Sequence, residues 1–81
     1  MNTIRNNSKK ISFEDLHPVR EIRKKLNLTQ PQLSNLIGLK QSQLSACELG
    51  KRTLSIKAAK KLIFIAKEYG HTYSLDFVYS D

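Results

Sequence analysis

Gln30 to Leu49, QPQLSNLIGLKQSQLSACEL, is the stretch whose reading decides the fold. Leu33, Leu36, Ile37, Leu39, Leu44 and Cys47 fall at helical spacing on either side of Gly38, so the segment reads as two short amphipathic helices rather than a strand pair. Thr29 is a good N-cap for the first helix, Gln32 three residues on completes a capping box, and Pro31 sits in the first turn, where its missing N–H costs nothing. Gly38 ends that helix at a point where the chain turns sharply and a left-handed backbone suits a residue without Cβ. Ser34, small and one turn ahead, leaves room for the second helix to cross closely. Leu44 and Cys47, three apart, bury the second helix against the first. At about 100° per residue, Ser42, Ser45, Ala46 and Leu49 then point outward, with Lys40 and Gln41 at the exposed N-terminal end.

Outward from this hairpin, the charge distribution points to a partner. The 81 residues carry 14 Lys and Arg against 7 Asp and Glu, a net charge of +7, and no acidic residue lies between Glu21 and Glu48. A positive field of this kind attracts polyanions and speeds their encounter, which makes nucleic acid the expected partner, ahead of an acidic protein or a lipid surface. Gly50-Lys51-Arg52-Thr53 follows the second helix and presents two cations together. Phosphate contact is its expected use, since such contacts position a protein and supply affinity without reading bases.

LTQPQLSNLIG (28–38) followed by KQSQLSACELGKR (40–52) resembles the helix-turn-helix of the Cro and phage-repressor family, also called the XRE family, with the likeness running roughly from Val19 to Tyr69. The cap, the turn glycine, the apolar positions and the closing Glu-x-Gly-Lys all match. The resemblance implies an all-α fold, a small lambda-repressor-like bundle of four to five helices, whose second hairpin helix enters the major groove. It implies base readout by Lys40, Gln41, Ser42, Ser45 and Ala46. Gln41 suits adenine N6 and N7, the serines donate or accept, Ala46 touches a thymine methyl, and Lys40 reaches guanine or a phosphate. Gln30 resembles the family glutamine that bonds a backbone phosphate, helped by neighbouring free N–H groups. Arg23 and Glu48 stand where the family often has a structural ion pair. One departure is Lys40, where a serine or threonine commonly caps the reading helix; the helix start is then open by one residue, and Gln43 could rotate toward DNA.

The flanks complete the organisation. Residues 1–12 form a polar, basic arm, read either as a DNA-tracking arm or as a solvated tail. Residues 13–70 form the DNA-binding domain and 71–81 a dimerisation or capping segment. Ser12 to Leu16 suggests one capped turn; Val19, Ile22 and Leu26 then mark a first helix with Arg20, Arg23, Lys24 and Lys25 outside. Ser55 caps a helix running to about Tyr69, with Ile56, Ala59, Leu62, Ile63, Ile65, Ala66 and Tyr69 on its apolar arc. Phe64 falls on the opposite, lysine-rich face, so the C-terminal segment or a second subunit is expected to cover it. In HTYSLDFVYSD (71–81), Tyr73, Leu75, Phe77 and Tyr79 alternate as in a strand, while Ser74 can cap a short helix; the resemblance favours the helix. In either form Phe64, Tyr73, Leu75, Phe77 and Tyr79 are the expected dimer or partner contacts.

Other classes are poorly supported. No nucleophile with a base, carboxylate cluster or phosphate-binding glycine loop is visible, so the chain is not read as an enzyme. His17 and His71 stand alone, so no metal site and no cofactor are expected, and Cys47 reads as a small buried hydrophobe. No run has the length of a membrane span or a signal-peptide core, which makes the cytoplasm the expected location. The resemblance thus implies a double-stranded-DNA-binding regulator of phage or prophage type that binds a palindromic operator as a homodimer and represses by occupancy. The alternative is an antitoxin whose aromatic tail binds a toxin protein.

Overall fold

Among the described residues, the caps expected at Thr29, Ser55 and Ser74 are all formed. The computed structural model describes residues 17–80, and among them the chain forms five helices and no strand: α1 (Pro18–Lys25), α2 (Gln30–Ile37), α3 (Gln41–Glu48), α4 (Ile56–Glu68) and α5 (Leu75–Val78). The basic arm, the turn expected over Ser12–Leu16 and Asp81 lie outside the described residues. Thr29 Oγ accepts the Gln32 N–H at 3.2 Å while Gln32 Oε1 accepts the Thr29 N–H at 2.8 Å, a complete capping box. Ser55 and Ser74 cap α4 and α5 by accepting from the N–H groups of Ala58 and Phe77, each at 3.1 Å. His17 does the same for α1, its Nδ1 accepting from Val19 N–H at 3.2 Å. Lys40 has no side-chain acceptor to offer α3; instead Gln43 Oε1 reaches back to the Lys40 N–H at 2.9 Å, so the helix begins at Gln41.

The first four helices close alike. Asn27, Gly38, Gly50 and Gly70 take positive φ, and the next residue's N–H bonds back across five positions: Leu28 to Arg23, Leu39 to Ser34, Lys51 to Ala46 and His71 to Ala66. This satisfies carbonyls that a helix end leaves without partners. Asparagine is the side chain that tolerates that conformation best after glycine.

The core gathers Val19, Ile22 and Leu26 of α1 and its end, Leu33 and Ile37 of α2, Leu44 and Cys47 of α3, Leu54, the inner face of α4 and Val78 of α5. On α4 that face is Ala58, Ala59, Leu62 and Ala66, narrower than the sequence pattern suggests: Ile56 and Tyr69 are 54% and 50% exposed. Thirteen residues make α4 about 20 Å long, against about 12 Å for its eight-residue neighbours, so its two ends overhang the core. Leu36 of α2, also counted among the apolar positions, is 47% exposed. The tail takes the helical alternative. Ser74 caps it, Tyr73 and Phe77 stack at 5.2 Å between ring centroids, and Val78 enters the core. The short α-helix wins over strand alternation because it buries Val78 against the core without needing a strand partner.

Gly38 has φ +76°, and a Cβ added there would meet only Lys61 Nζ, at an ordinary 3.5 Å. Gly38→Ala is therefore expected to lower the stability to urea by about 1–2 kcal/mol through backbone strain alone. Gly38→Asn should fall between the two, and equal stabilities for all three would overturn this account.

Candidate nucleic-acid interface

With Leu44 and Cys47 in the core, α3 turns its start outward. Lys40, Gln41 and Ser42 are exposed, Ser45 and Ala46 are half-buried, and Leu49 at the end is 63% exposed. Gln43 does not swing outward: it is half-buried and its carbonyl oxygen is bound to the Lys40 N–H. The face so formed carries one cation, two hydroxyls, one amide, a methyl group and the exposed Leu49 side chain, and no carboxylate.

Behind that face lies a buried ion pair. Arg23 Nε donates to Glu48 Oε2 at 2.6 Å and Arg23 Nη2 to Glu48 Oε1 at 3.1 Å, a two-pronged contact between residues only 8% and 6% exposed. Arg23 Nη1 also donates to Leu28 O at 2.9 Å. Periodicity places Arg23 among the outward cations of α1; the structure turns it inward, since Glu48 and a helix-end carbonyl offer the hydrogen bonds that make burial of a guanidinium tolerable.

The network continues to the surface through Gln30. Its Nε2 donates to Glu48 Oε1 at 3.0 Å, and its Oε1 accepts from Gln41 Nε2 at a longer 3.4 Å. A continuous path thus runs from α1 through the end of α3 and the start of α2 to the first residue of α3. Nothing in the spacing of Gln30 and Gln41 announces this link; it exists because Gln30, at the start of α2, lies within reach of both Glu48 at the end of α3 and Gln41 at its start. Around Gln30 the supply of backbone donors for an anion is smaller than the sequence suggests. Thr29 and Gln32 spend their N–H groups on the capping box and Pro31 has none, leaving that of Gln30 itself.

Lys51 and Arg52 follow α3 on an exposed loop whose start is set by Gly50, at φ +78°, and by the Lys51 N–H bond to Ala46 O at 2.9 Å. The loop's other end is held from the tail: Tyr79 donates its hydroxyl hydrogen to Leu54 O at 2.7 Å, across 25 positions that no sequence pattern connects. Burial, with Cys47 adding to it, raises the Tyr79 hydroxyl above its ordinary pKa, and Tyr73 is raised by burial and then by Glu21. The Cys47 thiol is likewise pushed up by burial, against the pull of Arg52, and so stays protonated in the core.

Of the residues expected at a dimer or partner contact, Tyr73, Leu75, Phe77 and Tyr79 lie half-buried against the chain's own core. Phe64 does not join them; it is 63% exposed on the far face of α4, uncovered by the described part of the tail.

A family model described as a helix-turn-helix domain matches residues 18–75, and the chain belongs to that DNA-binding family. Nothing among the curated proteins or the solved structures matches it. Among the described residues no helix is long and apolar enough to cross a membrane.

Two measurements test the network and the latch. Glu48→Ala leaves a buried guanidinium unpaired and is expected to cost about 3–5 kcal/mol in urea unfolding, whereas Arg23→Met with Glu48→Leu should recover most of that loss. A double variant no better than the single one would locate the cost elsewhere. For Tyr79, the unfolded chain releases its phenolic proton at lower pH than the folded chain, so the folded chain holds more protons and stability falls as pH rises past about 10. Tyr79→Phe should lower stability by about 0.5–1.5 kcal/mol at neutral pH and show a shallower alkaline decline than wild type.

Proposed function

We propose that this helix-turn-helix chain is a sequence-specific transcriptional regulator of the Cro and phage-repressor type, which binds a palindromic double-stranded operator as a homodimer and represses by occupancy. The observation that carries this reading is the path Arg23–Glu48–Gln30–Gln41, which ties the exposed start of α3 to a buried ion pair. An amide that is already oriented loses less freedom when it meets a base edge, so its hydrogen bonds count for more.

In this reading Lys40, Gln41 and Ser42 meet base edges first and Ser45 and Ala46 follow one turn on. Lys51 and Arg52 take phosphates beside the groove. Gln30 contributes the second N–H of its amide and its backbone N–H to another phosphate, while its remaining bonds hold Gln41. The absence of an arginine from α3 directs the expected specificity toward adenine and thymine positions rather than bidentate guanine contacts. One such face contacts too few bases for useful discrimination, and two copies on half-sites about one helical turn apart supply the rest. The half-exposed rings and side chains of Tyr73, Leu75 and Phe77 are the surface assigned to that pairing.

Labelled duplex from the gene's upstream region, titrated at several salt concentrations, tests this directly. Gln41→Ala with Ser42→Ala is expected to lose the preference over random duplex. Lys51→Ala with Arg52→Ala should weaken binding to all duplexes and reduce the salt slope by up to about 2. If wild type prefers no upstream duplex to random DNA, the reading fails. A second small protein that co-purifies through the tail would favour an antitoxin instead.

A further inference from the structure

Leu36 of α2 and Phe64 and Ile65 of α4 line an open groove of about 390 Å³ whose other walls are Lys60 and Lys61. None of these residues belongs to the DNA-facing set. Phe64 and Leu36 are 63% and 47% exposed, come from different helices and share one concavity, which separates them from apolar side chains scattered singly over a surface. Helical stepping places Lys57, Lys60 and Lys61 around Phe64, with Glu68 the one carboxylate on that side of α4.

We propose that this groove docks an acidic amphipathic helix of a second protein, with apolar side chains seated between Leu36 and Phe64 and flanking carboxylates paired with Lys60 and Lys61. The lysine rim selects the occupant. A second copy of this chain, set face to face, would oppose Lys57, Lys60 and Lys61 to the same three residues. The chain's own basic segment, residues 1–12, has the wrong sign as well, and residues 13–16, which carry Glu14 and Asp15, are enough for only about one helical turn, too short to lay an apolar stripe along the groove. Duplex DNA would satisfy the lysines but leave Phe64 and Leu36 against a charged backbone. An amphipathic acidic helix satisfies both parts, its apolar stripe filling the concavity as helix-in-groove recognition requires and its charges meeting the rim. The proposal does not depend on the operator reading, because it uses other residues and another partner.

The test uses a fluorescent helical peptide of about four turns, built from Leu at i, i+3, i+4 and i+7 with Glu between. Controls are a scrambled Leu/Glu peptide and a Leu/Lys counterpart, each titrated with the full chain by anisotropy. Saturable binding of the patterned Leu/Glu peptide alone is expected, at least tenfold weaker with Phe64→Ser or Leu36→Ser. Lys60→Glu with Lys61→Glu should abolish it and transfer binding to the Leu/Lys peptide. Circular dichroism and thermal unfolding of the variants confirm that they fold, since all four positions lie outside the buried core. Equal binding of the scrambled peptide, or binding indifferent to these substitutions, overturns the proposal. So does sedimentation in which Phe64→Ser dissociates a homodimer, which would give the groove to a second copy, or a loss of duplex affinity on Phe64→Ser, which would give it to DNA.

Discussion

Arg23 and Glu48 stand 25 positions apart in the chain and 2.6 Å apart in space, and the arrangement of the first three helices depends on that contact. Taking both charges out of water is costly, and attraction in a low-dielectric interior offsets the cost only when geometry is good and the remaining hydrogen-bonding capacity is filled. Both conditions hold here: the contact is two-pronged, the third guanidinium nitrogen finds Leu28 O, and Gln30 takes up Glu48 Oε1. Few other arrangements of α1, α2 and α3 would satisfy all of these groups together. The pair therefore specifies a relative position more than it adds net stability, and apolar replacements would keep the helices packed while releasing the amides at the surface.

Helix ends supply the second constraint. An eight-residue helix has as many terminal groups without intrahelical partners as it has satisfied ones, so short helices survive only where caps and packing close the account. The chain meets this at both ends of each of the first four helices. Side chains of His17, Thr29 with Gln32, Gln43 and Ser55 serve the starts, and a left-handed residue with a five-position return bond serves the ends. The same device that ends α3 also aims the loop of Lys51 and Arg52, and the tail then fixes the far side of that loop through Tyr79. Cap, loop and tail act on one surface.

The two sides of the molecule differ in chemistry although both are basic. Around α3 the cations accompany hydroxyls and amides, groups that suit base edges and phosphates. On the outer face of α4 they surround exposed apolar carbon, which suits a partner that is apolar and acidic at once. Net charge alone treats these faces as one field; their neighbours separate them.

How much was legible in the sequence follows the range of each interaction. The helices around Gly38, the capping box at Thr29, the N-caps at Ser55 and Ser74, the inward Leu44 and Cys47 and the outward Gln41 and Ser42 all rest on residues within a turn or two of one another, and local spacing determines them. The Arg23–Glu48 pairing was legible by family likeness alone, because nothing local links the two residues. The tertiary structure decided the rest: that Arg23 faces in rather than out, that Gln43 caps α3 rather than turning outward, that α4 overhangs the core at Ile56 and Tyr69, and that the tail closes as a helix with Val78 inside and Tyr79 on Leu54 O. The Gln43 cap is local, three residues from Lys40, but spacing alone does not choose between that bond and an outward rotamer. The others turn on a partner more than two turns away or on how far a neighbouring helix extends, and a one-dimensional pattern carries the period of a helix but not the length and position of what it packs against.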